Sequence, residues 1–179
     1  TTWISLLYMK LSAWYPYPSV EELTDTTYPK YKEAFGTDSV VGDGQVSLHF
    51  ESFIDCHEQQ VQTPSSKPVH SAFWSDYKQR TTIKFLAAVT GCGAFSFCSA
   101  GYPGRITDPA ITRLCGFLDK IHAHGVTGAD KGFDMHGDFL VKDHYFMMPP
   151  KARKGQTHFS QDQNRETSKI ARLRIHVER

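Results

Sequence analysis

The sequence predicts an α/β domain preceded by a short helical segment. From about residue 48 onward, apolar runs of strand length alternate with helical patterns, in the order strand, strand, strand, helix, strand, strand, helix. This alternation is typical of a sheet flanked by helices. The 179 residues, of which 40% are hydrophobic, are enough for one domain with a substantial core. We therefore expect a mixed sheet of five strands.

Residues 1–49 are expected to form an N-terminal helical segment and a loop, truncated at the start. The pattern predicts one helix over residues 2–13, a proline-rich turn, and a second short helix starting near Ser19, where two glutamates fall in the first turn. The stretch GTDSVVGDGQVS, residues 36–47, is rich in Gly, Asp and Ser and is predicted to be a loop.

Residues 50–179 are expected to form the main domain, truncated at its C-terminus. SLHFESFIDC reads as a strand ending in Asp55, and HEQQVQTPSSKPVHSA reads as a loop. TTIKFLAAVT and AFSFCSA read as two strands joined by the turn GCG, and GYPGR as a loop. A helix is predicted in the run ITDPAITRLCGFLDKIHAH, from the spacing of its apolar residues Ile111, Leu114, Leu118 and Ile121.

The rest of the chain predicts two more strands and a closing helix. GVTGAD and HYFMM read as strands, with a short helix-like piece between them. The run from Ser160 reads as a helix whose apolar stripe comprises Ile170, Leu173 and Val177, with Glu178 beside it.

Charge and cysteine content exclude some classes of protein. The net charge of +1 gives no global basic field for nucleic acid, although the last 29 residues are locally basic. The four cysteines lack CxxC spacing, so we expect reduced thiols rather than a disulfide framework. The Cys and His residues also lack the paired short spacings of structural zinc sites.

Three carboxylates stand where elements are predicted to end or pack. Asp55 is placed at the end of the first strand, Asp130 at the end of the fourth, and Glu178 on the closing helix. Such groups can converge at one edge of a sheet and bind hard divalent cations. Because the chain has 19 acidic residues, spacing alone leaves the alternative of ordinary strand-end turn residues open.

Five blocks carry a family resemblance: IDCHE, YKQRTTIKFLAAVT, GYPGRITD, ADKGF and RIHVER, in this order. Together they resemble the DDE superfamily endonuclease domain of PIF/Harbinger-type transposases, over roughly residues 50–179. The resemblance implies an RNase H-like fold and two-metal-ion cleavage and joining of DNA strands, with Mg²⁺ or Mn²⁺ as the metal. It places the catalytic, metal-binding triad on Asp55, Asp130 and Glu178, with Gly132 letting the backbone turn away from Asp130.

The resemblance also implies DNA as a partner and the nucleus, with or without exchange with the cytoplasm, as the location. No separate helix-turn-helix region is evident, so a separate DNA-binding partner protein is a further expectation. A rival interpretation is a domesticated or decayed copy that binds DNA or a protein partner without catalysis.

Several other charged residues have two interpretations each. Asp108 is either a helix N-cap or a supporting group near the site. Glu58 is either structural or a supporting carboxylate. Phosphate contact or ordinary solvation is expected for the cations Lys78, Lys84, Arg105, Lys131 and Arg174. Arg174 also precedes Glu178 by four residues, so these two could instead form a surface pair on the helix.

Overall fold

The structure is a computed structural model that describes residues 16–35, 39–41, 44–46 and 48–149. The predicted first helix and the predicted closing helix, with Arg174 and Glu178, lie outside the described residues.

The described part of the N-terminal segment contains two short helices and a pair of antiparallel strands. Helix α1 spans Val20–Thr26 and helix α2 spans Pro29–Phe35. Ser19 caps α1 as predicted, because its hydroxyl accepts from the Glu22 N–H and the Glu22 carboxylate accepts from the Ser19 N–H. The prediction of a loop over residues 36–47 was wrong in part, since β1 (Ser39–Val41) and β2 (Gly44–Val46) pair antiparallel.

The main sheet is built around three strands. β3 (His49–Gln60) pairs antiparallel with β5 (Arg80–Val89) and parallel with β8 (Gly125–Ala129). β9 (Tyr145–Met147) extends the sheet in parallel beyond β8. Three short strands also pair with β5: β4 (Trp74–Ser75), β6 (Phe95–Cys98) and β7 (Tyr102–Pro103). Within the described residues the sheet therefore has seven strands rather than five, in the order β4-β5-β3-β8-β9 with β6 and β7 off this path.

Strand β3 is longer than predicted. It continues past Asp55 to Gln60, because the polar residues Glu58 and Gln60 pair with Lys84 and Thr82 on β5. These residues therefore form a strand through cross-strand polar contacts. They lack the alternation of apolar and polar residues by which a strand is recognised in a sequence. Helix α3 (Lys67–Phe73) occupies the last part of the predicted loop, so only residues 61–66 of it lie outside helix and strand. The GCG turn between β5 and β6 is confirmed, with Gly93 at a positive φ of 87°.

The predicted long helix is much shorter in the structure. Helix α4 spans Asp108–Leu114, and a 3₁₀ turn spans Phe117–Asp119 after a break at Gly116, which has a φ of 79°. A glycine in this left-handed conformation ends a helix. Ile111 is fully buried as predicted, but Leu114 is 65% exposed. The helix is capped by Thr107, whose hydroxyl accepts from the Ala110 N–H, so the prediction of Asp108 as N-cap was wrong by one residue.

The two faces of the sheet carry separate clusters of buried side chains. Ile54 belongs to a large cluster shared with α4 and α5 (His136–Leu140), whereas Phe53 belongs to a second cluster with Tyr31 of α2. Phe53 and Ile54 are neighbours in β3 and therefore point to opposite faces of the sheet. Their two clusters thus place helices on both faces. The fold is a mixed α/β sheet flanked by helices, as an RNase H-like domain requires. No helix among the described residues has the length and apolarity needed to cross a bilayer.

Candidate active site at the carboxyl end of strand β8

The register of β3 and β8 places Asp55 and Asp130 at the same level of the sheet. Ile54 is paired with Ala129, the last residue of β8, and the two aspartates directly follow this pair. Neighbouring strands are about 4.8 Å apart, and parallel strands in register direct equivalent side chains to the same face. Both aspartates are partly exposed. Asp55 therefore lies inside β3 rather than at its end, at the level where its neighbour β8 stops.

Each aspartate has one oxygen held by the following backbone amide. Asp55 Oδ1 accepts from the Cys56 N–H at 2.8 Å, and Asp130 Oδ1 accepts from the Lys131 N–H at 2.7 Å. The Asp130 carbonyl accepts from the Phe133 N–H at 3.1 Å, which closes a turn over residues 130–133. Phe133 is buried in the core and anchors the end of this turn. The local backbone thus sets the orientation of both carboxylates.

Gly132 lies in this turn next to the first residue of α4. A Cβ atom at position 132 would come 3.3 Å from Asp108 Oδ2. This is a tight contact, so the glycine allows Asp108 to approach the turn that follows Asp130. The sequence resemblance predicted a glycine for turning, and the structure adds this close approach of a third carboxylate.

Lys84 links Asp108, the first residue of α4, to Glu58 of β3. Its Nζ lies 3.0 Å from Asp108 Oδ1 and 3.4 Å from Glu58 Oε1, and it donates to the Ile106 carbonyl at 2.9 Å. The Lys84 side chain is only 11% exposed. All of its described contacts are with the protein's own acceptors, whereas we expected a solvated charge or a phosphate contact.

The ionisation of this group follows from its contacts. Burial opposes the charge on Lys84, but the hydrogen bond and charge of Asp108 outweigh it and raise the lysine pKa. Burial likewise opposes the charge on Glu58, yet polar contacts with Ser75 and Thr82 and the charge of Lys84 lower the Glu58 pKa. Both side chains are therefore ionised at neutral pH.

Cys56 follows Asp55 on β3 and lies near Asp108 and Lys84. Burial raises the pKa of its thiol, and the negative charges of Asp108 and Asp55 raise it further. A thiol in this environment is protonated at neutral pH and is a poor nucleophile.

Three predicted phosphate-binding cations are exposed near this end of the sheet. Lys78 lies in the turn before β5, and Arg105 donates to Ser71 near the start of the same strand. Lys131 directly follows Asp130. Their exposure leaves them accessible to an anionic ligand, and phosphate contact stays a prediction for each. Arg174 and Glu178 lie outside the described residues, so the third member of the predicted triad stays a prediction as well.

The predictions missed a second cluster at the opposite end of the sheet. Within the described part of the chain, His49, Glu51 and His122 form one group of three potential ligand atoms, all within 4.8 Å of one another. Residues two apart in a strand lie on the same face, so the His-x-Glu spacing at the start of β3 is a sequence signal for two of these side chains. His122 is distant in sequence and gave no such signal.

The comparison with family models gives one match. Residues 54–179 match the model described as the DDE superfamily endonuclease, and this stretch includes Asp55, Asp130 and Glu178. None of the curated proteins or solved structures compared with the chain matches it.

Proposed function

The chain belongs to the DDE superfamily endonuclease family, and from this premise we propose that it is a transposase-derived endonuclease domain of the PIF/Harbinger type. The proposed reaction is cleavage of DNA phosphodiesters followed by strand transfer. The observation that carries the proposal is the placement of Asp55 and Asp130 directly after a paired position on adjacent parallel strands.

The residues at this position suit a divalent metal ion. Asp55 and Asp130 offer carboxylate oxygens, the donors that Mg²⁺ and Mn²⁺ prefer, and Cys56 stays protonated beside them. We propose that these two aspartates hold the metal together with Glu178. Bound divalent ions would supply activation of a water or a 3′-hydroxyl and stabilisation of the leaving oxygen.

The protein itself contributes position and charge. The amide contacts of Cys56 and Lys131 fix the two carboxylates, and the turn anchored by Phe133 fixes the end of β8. In the proposed role of Asp108 and Glu58 as supporting carboxylates, Lys84 forms an ion pair with each of them. Such prior positioning lowers the cost of aligning the reacting groups.

We further propose that the exposed cations Lys78, Arg105 and Lys131 bind DNA phosphates, with Arg174 as a fourth. Cations of this kind position a duplex without reading its sequence. Replacing Lys78 or Lys131 by Gln would then weaken binding equally for different DNA sequences. Each replacement would also reduce the slope of log affinity against log salt by about 1, because one phosphate fewer is neutralised.

Target recognition and location complete the proposal. We also propose that a separate DNA-binding partner protein selects the target. A function on chromosomal DNA would place the protein in the nucleus. Imaging of a fluorescently tagged chain tests the location, and co-purification of a sequence-specific DNA-binding protein tests the partner.

The test of the central proposal is nicking of a supercoiled plasmid in Mg²⁺ or Mn²⁺. We expect Asp55→Asn and Asp130→Asn each to reduce the nicking rate by about 100-fold or more, because metal-borne charge stabilisation is worth several kcal/mol. Asp119→Asn is the matched control, since this exposed aspartate pairs only with Lys142 among the contacts described for it.

Two outcomes would contradict the proposal. One is metal-dependent nicking that survives both aspartate substitutions, which would place the activity elsewhere or in a contaminant. The other is a folded parent protein that does not nick in either metal. DNA binding in a gel-shift assay without nicking would favour the domesticated or decayed copy.

A further inference from the structure

The cluster of His49, Glu51 and His122 lies at the opposite end of the sheet from the two aspartates. His49 begins β3, and His122 lies three residues before β8. Glu51 precedes Asp55 by four residues on the same strand, which corresponds to about 13 Å. The cluster is therefore distinct from the proposed nuclease site, and its function does not depend on that proposal.

Glu51 is a buried anion at the centre of this cluster. Its side chain has no exposed surface, and Oε1 accepts from the Tyr17 hydroxyl at 2.6 Å. The His122 backbone N–H lies 3.3 and 3.2 Å from its two oxygens. A buried carboxylate of this kind is typically paired with a cation or bound to a metal ion.

Two imidazole nitrogens face the second oxygen of this carboxylate. His49 Nε2 lies 3.5 Å and His122 Nδ1 lies 3.4 Å from Glu51 Oε2. Both nitrogens are buried, and among the described residues neither has a hydrogen-bond partner of good geometry. The His49 side chain as a whole is 9% exposed, whereas that of His122 is 31% exposed and leaves a path to solvent. Three potential ligand atoms thus point at one another.

His144 also lies near Glu51, but its ring is already used. Its Nδ1 lies 2.8 Å from the His122 carbonyl oxygen, which can only accept, so Nδ1 carries the proton. Its Nε2 then accepts from the Thr127 hydroxyl at 2.8 Å. The role of His144 is to hold the His122 backbone in place.

The surrounding backbone fixes the geometry of the three ligand atoms. His122 is held on one side by its N–H to Glu51 and on the other by its carbonyl to His144. A Cβ atom at Gly125 would lie 2.3 Å from Glu51 Oε2, so only glycine leaves room for the carboxylate there. Contacts of this kind, which orient the ligands from outside, are typical of metal sites.

We propose that His49 Nε2, His122 Nδ1 and Glu51 Oε2 bind one divalent transition-metal ion of the zinc class. Two imidazoles and one carboxylate suit zinc and its neighbours, whereas Mg²⁺ and Ca²⁺ select oxygen donors alone. The ion neutralises the buried carboxylate and joins the start of β3 to the segment before β8.

The test is a calorimetric titration of the intact purified protein with Zn²⁺ in saturating Mg²⁺, which occupies the oxygen-donor site around Asp130. We expect one Zn²⁺ per chain and an increased melting temperature, because the ion binds the folded state. We also expect bound Co²⁺ to give the intense visible absorption of a four-coordinate site. His49→Gln and His122→Gln should each weaken Zn²⁺ binding by at least about 100-fold.

The controls separate this site from others. His57→Ala removes an exposed histidine of the same strand and should leave Zn²⁺ affinity unchanged. The inference is overturned if the parent binds no Zn²⁺, if both histidine variants bind it normally, or if binding disappears in Asp130→Asn instead. If His49→Gln fails to fold by circular dichroism, His122→Gln decides the outcome, because its side chain is partly exposed. DNA nicking is not a readout here, so this inference can fail independently of the nuclease proposal.

Discussion

Replacing Lys84 by Met tests whether the buried lysine stabilises the folded protein through its ion pairs with Asp108 and Glu58. Lys84 Nζ lies 3.0 Å from Asp108 and 3.4 Å from Glu58. At an effective dielectric constant of about 20, each attraction is about 5 kcal/mol before the cost of desolvation. Removing one partner of a buried ion pair typically costs about 3–5 kcal/mol.

The exposure of Glu58 and Asp108 decides where the cost of removing Lys84 falls within this range of energies. The Glu58 side chain is 8% exposed, but that of Asp108 is 30% exposed and regains some hydration when Lys84 is removed. We therefore expect Lys84→Met to lower the free energy of unfolding by about 3 kcal/mol. For a chain of this length, that corresponds to a melting temperature lower by about 6–12 °C.

The measurement is urea unfolding at pH 7, with Lys78→Met as the matched control. Lys78 is exposed in a turn, and its replacement should change stability by no more than about 0.5 kcal/mol. The double variant Lys84→Met/Glu58→Gln removes the buried negative charge and should recover at least half of the lost stability. A Lys84→Met protein within about 1 kcal/mol of the parent would refute the reasoning.

The same contacts predict a dependence on pH. The pKa of Glu58 is lower in the folded protein than its unfolded value of about 4.3, so its contribution to stability is complete above that value. The contribution disappears as the pH falls from about 4.3 through the folded pKa. Urea midpoints measured between about pH 5 and 3 should therefore fall more steeply for the parent than for Glu58→Gln. Parallel curves would contradict the assignment.

Two further predictions concern the core and the thiols. Ile111→Ala should destabilise the protein by about 2–5 kcal/mol, because Ile111 is fully buried. Leu114→Ala on the same helix should change stability by about 0.5 kcal/mol or less, because Leu114 is exposed. Equal losses of stability in thermal unfolding would show that the helix is rotated from the described position. Cys92 should react with iodoacetamide before Cys56. Burial opposes the Cys92 thiolate, but hydrogen bonds with Thr90 and the Ala94 backbone outweigh this effect and lower the Cys92 pKa. Burial raises the Cys56 pKa. Peptide mass spectrometry over a time course gives the order, and earlier labelling of Cys56 would overturn this prediction.

The element order was largely legible because apolar runs and turn residues act locally. β5, β8 and β9 lie where their apolar runs predicted them, and the Ser19 cap and the GCG turn are both present. The errors have a common cause. β3 extends through polar residues because its neighbour β5 supplies partners, and the helix starting at Asp108 stops at Gly116 although apolar spacing continues. A local sequence pattern contains no information about the partner strand of β3 or about the backbone conformation of Gly116.

For the candidate sites, the sequence by itself determined which residues are acids and which family motifs surround them. It thereby led to the prediction of Asp55 and Asp130, and in the structure these residues directly follow a paired position of two parallel strands. Only the tertiary structure decided that Lys84 is buried between carboxylates, and that His49 and His122 meet across Glu51. These contacts join residues that are far apart along the chain, and a sequence pattern carries no record of which distant side chains share a buried, low-dielectric space.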